Sequence, residues 1–203
     1  MNSREYFGLL GLEDKRNSDP VGVRGFVELI FSEKGKQTRR ICMRNIILNQ
    51  GKAEIINGLT SGTNRVLARM AIGDRGALPS DQTVPKTPEA SRTSLFAEVY
   101  RQDVEVTSIT TEDDTNQVLL VTTFRAVDIP VTAYSDQTNP VVNEVGPVII
   151  DLISGSPLPR TSIAAPNPPD GDEAVFAMRT FKTVPFESAN ETAVTVRYTI
   201  FIG

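Results

Sequence analysis

Apolar and polar residues alternate along most of the chain, and the alternation sets the elements. In 192–203, Val194, Val196, Tyr198, Ile200 and Ile202 share one face, with Thr195, Arg197 and Thr199 on the other. That period of two belongs to a half-buried strand. Residues 21–31 alternate through Val23, Val27, Leu29 and Phe31. A turn centred on Gly35 joins them to a second strand at 38–48, giving a hairpin. Further strands are predicted at 64–77, 98–111, 117–131, 141–151 (interrupted at "EVGP") and 174–181, with a polar turn at 112–116. Only 49–62 changes period. There Ala53, Ile56 and Leu59, or Ile55 and Leu59, share a helix face, with Asn49 placed to cap it. The pattern predicts a mainly β chain: an antiparallel β-sandwich of about eight strands with one short helix.

The remaining segments read as arms and loops. Residues 1–20 form an N-terminal arm, whose "YFGLLGL" offers Tyr6, Phe7, Leu9, Leu10 and Leu12 as anchors on a neighbouring subunit. Residues 21–203 read as a single domain, with long extended loops at the proline-rich stretches 78–93 and 154–173. The arm has no unbroken apolar stretch, so no signal peptide is expected, and no run is long enough to span a bilayer.

Composition narrows the chemistry. The 203 residues contain no tryptophan, and Val, Ile, Leu and Phe must build the core. A net charge of −4 speaks against a direct nucleic-acid binder. The one cysteine, Cys42, excludes an intrachain disulfide and reads as a small buried hydrophobe. There is no histidine, which removes the commonest general base, the commonest metal ligand and the Ser–His and Cys–His pairs. No cofactor is expected. Glu112, Asp113 and Asp114 lack the spacing of a calcium loop and read as a solvated turn. Arg39, Arg40 and Arg44 read as a solvated strand face.

One set of signals carries a resemblance. "RNIILNQGKAEIINGL" is followed by "ARMAIGDRG", then "TSLFAEVYR", a hairpin, "NEVGPVII", "VFAMRTF" and "AVTVRYTIFI". This order resembles tailed-bacteriophage structural proteins, the small β-sandwich proteins of tails, baseplates, collars and fibre attachment points. Thr93, Leu95, Glu98 and Arg101 match that family's T-x-L-x-x-E-x-x-R motif. Glu144, Val145 and Gly146 match its acid–small–glycine motif, with Pro147 where leucine is more usual. Phe176, Arg179 and Phe181 match its phenylalanine–arginine–phenylalanine strand.

The resemblance implies a virion structural protein of the tail, assembled in the host cytoplasm, rather than an enzyme. Its partners would be copies of itself in a ring or oligomer and other tail, collar or fibre proteins. Arms at 1–20, 78–93 and 154–173 would cross to neighbours. Within the sandwich, Glu98 is expected to accept backbone N–H groups while Arg101 pairs with an acid, a structural latch closed by Leu95. A rival use of Glu98 with Glu144 as a hydrolytic carboxylate pair needs a substrate groove that the sequence does not suggest. A glycan-binding fibre module would need an exposed aromatic platform, for which Tyr100, Tyr134 and Phe186 are the candidates. A head-neck or capsid decoration protein is a further alternative within the virion.

Overall fold

A computed structural model of the chain describes residues 22–60, 65–92, 94–112, 115–151 and 174–202. The alternating segments pair into two main sheets. The first has the order β2 (Lys36–Arg44), β1 (Val23–Glu33), β13 (Ala193–Ile202), β9 (Thr115–Arg125) and β8 (Val106–Glu112). The second has the order β3 (Ile46–Ile47), β12 (Ala177–Pro185), β10 (Val141–Asp151), β4 (Arg65–Gly73) and β7 (Glu98–Asp103), and β11 (Ala174–Val175) also pairs with β10. A small ribbon joins β5 (Ala77–Leu78) to β6 (Asp81–Pro85). Every pairing is antiparallel. The only α-helix among the described residues is α1 (Asn49–Thr60).

The main core lies between the two sheets. Val27, Leu29 and Phe31 of β1 and Val194, Val196, Tyr198 and Ile200 of β13 meet Met70, Ile72, Val142, Val145 and Phe181 of the second sheet. Rings touch across the layers: Phe31 lies 6.1 Å from Phe181, and Tyr100 meets Phe124 edge-on at 6.3 Å. Each such side chain, fully buried, contributes about 1.5–3 kcal/mol. A second cluster lies on the other face of the six-stranded sheet, as the alternation of Met70, Ala71 and Ile72 shows. Ala71, Val148, Val175 and Met178 there meet Leu48, just before α1, and Leu95. The six-stranded sheet is thus buried on both faces, and β10 accordingly reads as a nearly continuous apolar run.

The expected count of about eight strands rises to thirteen among the described residues, for physical reasons. Two predicted strands each change sheet midway. The 38–48 strand ends at Asn45, whose N–H bonds the Gly25 carbonyl at 3.0 Å and whose side chain fills the place of a Gly25 Cβ. Residues 46–47 then join the other layer. The 98–111 strand divides between Val104 and Glu105. Val104 donates its N–H to Ala68 of the second sheet, and Glu105 donates to Val121 of the first, both at 2.8 Å. The 174–181 strand divides at Phe176, whose N–H bonds the Pro147 carbonyl at 2.9 Å. β10 itself is not interrupted at "EVGP".

Other expectations also change. The 78–93 loop is not a free arm: it contains β6 and is held to its own chain. Thr180 Oγ1 donates to the Lys86 carbonyl, Thr183 Oγ1 donates to Gln82, and the Asn49 N–H bonds Ala90. Asn49 is the first residue of the helix rather than preceding it, and Ile56 is exposed while Ile55 packs toward the core. At the β1–β2 hairpin, Lys34 and Gly35 have φ of 47° and 75°, the two positive values of a tight two-residue turn. The N-terminal arm, with Tyr6, Phe7, Leu9, Leu10 and Leu12, and the 154–173 loop lie outside the described residues, as do Thr93, Asp113 and Asp114.

Candidate functional site

The motif residues gather where β4, β7 and β10 lie side by side. Gly73, at the end of β4, is in register with Glu144 of β10 on one side and with Glu98 of β7 on the other. A Cβ on Gly73 would collide with the Ala97 carbonyl and the Glu144 carboxylate, so glycine is what leaves the passage open. Glu144 uses it. Its Oε2 accepts the Phe96 N–H at 2.7 Å, and its Oε1 accepts the Ala97 N–H at 2.8 Å and the Arg75 N–H at 3.4 Å. The residue has no solvent exposure. Burial, with a smaller push from nearby Asp74, raises its carboxyl to about 7 against the opposing pull of those three N–H bonds.

The backbone-binding role expected of Glu98 therefore belongs to Glu144. Glu98 instead forms a two-pronged pair with Arg101, three residues along the same strand. Arg101 Nη2 donates to Glu98 Oε2 at 2.7 Å, and Nε donates to Oε1. Arg101 is buried, so the pair is largely shielded from solvent. Leu95 is buried in the second core cluster and fixes the loop before β7. Phe96, next to it, is covered by Arg92 at 3.9 Å and Lys86 at 4.6 Å from its ring centre.

Sequence reasoning missed the neighbours that complete this latch. Asn143, also fully buried, accepts the Gly76 N–H and donates Nδ2 to the Asp74 carbonyl at 3.0 Å and to Thr183 Oγ1 at 3.1 Å. Asp74 accepts the Ser135 N–H and hydroxyl at 2.5 and 2.8 Å. The turn Asp74–Arg75–Gly76 is thereby tied to β10, to the 94–97 loop and to the connection after β9. The available signals were the polar pair Asn143–Glu144 inside an apolar strand and the "GDRG" between two strands.

The other motif residues pack rather than converge. Gly146 faces the Ala177 carbonyl at a distance that excludes a Cβ. Phe181 is in the main core, and Phe176 is buried beside it. Arg179, in register with Val145, is half-buried; its Nε has no hydrogen-bond partner, and burial lowers its pKa.

Chemically, the arrangement binds its own backbone. Both Glu144 oxygens are engaged by main-chain N–H groups, so neither faces a space where a substrate would sit. Tyr134 and Phe186 are buried and Tyr100 is packed on Phe124, so the three do not form an exposed platform. No group of side chains among the described residues is arranged to hold a metal ion, and no helix among them is long and apolar enough to cross a membrane.

A second polar cluster lies on the outer face of the five-stranded sheet. Buried Glu28 pairs with Arg40, which approaches through Nε and Nη2, and with Arg197 at 3.5 Å. Cys42 is half-buried there with its Sγ 3.9 Å from Glu28, not in the core as expected; burial and that carboxylate raise its pKa. Arg44 lies over the Phe26 ring. Arg40 and Arg44 are thus engaged, while Arg39 is exposed. A groove of about 280 Å³ beside Glu28 is lined also by Ser108, Thr110, Gln117 and Phe201.

Residues 42–125 match the family model described as phage tail-collar fibre protein, N-terminal. The matched span runs from within β2 to the end of β9, and includes Leu95, Glu98 and Arg101 but not Glu144. No curated protein and no solved structure matches the chain. The match supports the resemblance to tailed-phage tail structural proteins and a structural role in a phage tail.

Proposed function

We propose, from the tail-collar fibre match over residues 42–125, that this chain is a non-enzymatic component of a bacteriophage tail at the baseplate, collar or fibre attachment point. It acts by assembly: many copies pack against one another and against other tail, collar or fibre proteins, after synthesis in the host cytoplasm. The match carries this reading. The latch around Glu144 supports it, because a buried network that ties three loops together gives a fixed surface, and rigid surfaces lose less entropy on association. The domain is 21–203, with 1–20 and 154–173 as arms toward neighbours. Leu95, Glu98, Arg101, Glu144, Gly146, Arg179 and Phe181 hold its shape. Repeated symmetric contacts let individually modest interfaces hold a large particle.

The test is direct localisation. Antibody raised against the chain should decorate the tails of purified tailed particles from producing bacteria, viewed by electron microscopy. Decoration of heads alone, or of none of the particles that contain the chain's peptides, overturns the reading.

A further inference from the structure

We propose that the two edges of the five-stranded sheet join copies of this chain head to tail, β8 of one copy adding to β2 of the next. The inference deepens the assembly reading and rests on it for its biological setting. Its physical basis is separate.

A sheet edge presents unpaired main-chain groups, and soluble proteins usually guard it with charge, proline or brevity. In the six-stranded sheet, one edge is β3, only two residues long, and the other, β7, carries Arg101, Gln102 and Asp103. β8 is different. Among the described residues it pairs only with β9. Its stretch Val106–Thr111 has no charge and no proline, and all but Ser108 are β-branched. Ile109 points to the core side, in register with Val118, yet is 74% exposed. That is an apolar position at an open edge.

The opposite edge supplies its complement. β2 contains the exposed cations Lys36 and Arg39, beside Arg40 and Arg44, which are engaged with Glu28 and Phe26, and no acid. β8 ends in Glu112 and follows Glu105, and the sequence carries no cation from 102 to 124; Arg40 and Arg197, which share a groove with Ser108 and Thr110, are held by Glu28. Pairing β8 with β8 of a second copy sets Glu105 and Glu112 against each other, which like charges oppose. Pairing β8 with β2 sets acid beside base. On the core side of β2, Ile41 and Met43 are half-buried against the core. They would continue the apolar surface that Ile109 leaves open. β2 and β8 run in the same direction within the sheet, so copies repeated about an axis along the strands meet edge to edge. A head-to-tail contact of this kind closes into a ring where the rotation allows.

The experiment uses the full chain in light scattering after size-exclusion chromatography. The wild-type protein should be oligomeric at low salt and dissociate at about 1 M salt, where charges are screened within about 3 Å. Ile109→Lys and Arg39→Glu should each give a monomer with an unchanged thermal midpoint, since both side chains are exposed. Mixed in equal amounts, they should associate again, through the intact β2 of the first and the intact β8 of the second. Thr110→Lys serves as a second β8 variant should Ile109→Lys misfold. A wild-type chain that stays monomeric at about millimolar concentration overturns the proposal, as does an oligomer that survives both variants or a mixture that stays monomeric. Tails decorated by antibody while the oligomer ignores both variants would sink the edge pairing alone. Undecorated tails with variant-sensitive oligomers would sink the tail reading alone.

Discussion

Glu144 lies in β10 and Ala97 in the loop just before β7, yet the carboxylate of one accepts the main-chain N–H of the other at 2.8 Å, across the gap that Gly73 leaves open. The side chain thus substitutes for a strand partner just before the chain enters the sheet as β7.

Removing that carboxylate should be costly. Glu144→Ala leaves the N–H groups of Phe96 and Ala97 without their acceptor, at about 1–3 kcal/mol each. Glu144→Gln keeps one acceptor oxygen but presents an NH2 to a donor, and should lose about 1–3 kcal/mol in total. Urea denaturation of the two variants beside the wild type should give the order wild type, Gln, Ala.

The raised Glu144 carboxyl also sets a pH dependence. Its folded pKa is about 7, above the 4.5 of the free side chain, so between those values the folded protein holds a proton that the unfolded chain has released. The contribution is complete below pH 4.5 and falls away as pH rises to 7, by at most about 1.4 kcal/mol per unit. Stability of the wild type measured against Glu144→Gln should decline across that window and level off above it. A difference that is flat from pH 4.5 to 7 would show that the N–H bonds keep the group ionised throughout.

Glu98 and Arg101 should behave as a unit. Glu98→Ala removes the two-pronged carboxylate partner of a buried guanidinium, a loss of about 3 kcal/mol. Replacing both, with Glu98→Leu and Arg101→Met, should recover much of it. Thermal melts of the single and double variants supply the comparison.

Two glycines separate two kinds of cost. Gly35→Ala meets no atom within 4 Å but must hold a φ of 75°, so it should cost about 1 kcal/mol. Gly73→Ala has no positive φ to hold but strikes the Ala97 carbonyl and the Glu144 carboxylate, and should cost about 2–3 kcal/mol or more. Chemical denaturation resolves the difference.

Much of the β architecture was legible because alternation reports burial directly. β13 reads correctly from Val194 to Ile202, as do the β1–β2 hairpin and the presence of helix α1. The changes of sheet were not legible. Alternation continues through Asn45, from Ile41 and Met43 to Ile47, while the main-chain hydrogen bonds pass to another layer, and at Val104–Glu105 the change is made by backbone bonds alone. The acid of the latch was misassigned for a related reason. Glu98 stands in a recognisable spacing with Arg101, and that spacing marks their mutual pair. The partners of Glu144 at 75, 96 and 97 are far from it along the chain, and their donors are backbone groups that no residue type advertises.

The passage of the main chain between layers at Asn45, and again between Val104 and Glu105, has a mechanical consequence. A force tending to peel the two layers apart is opposed by covalent stitches as well as by side-chain adhesion. Tension on such a body would have to unravel strands lengthwise before the halves could separate, which is the behaviour wanted of a joint that must hold under load.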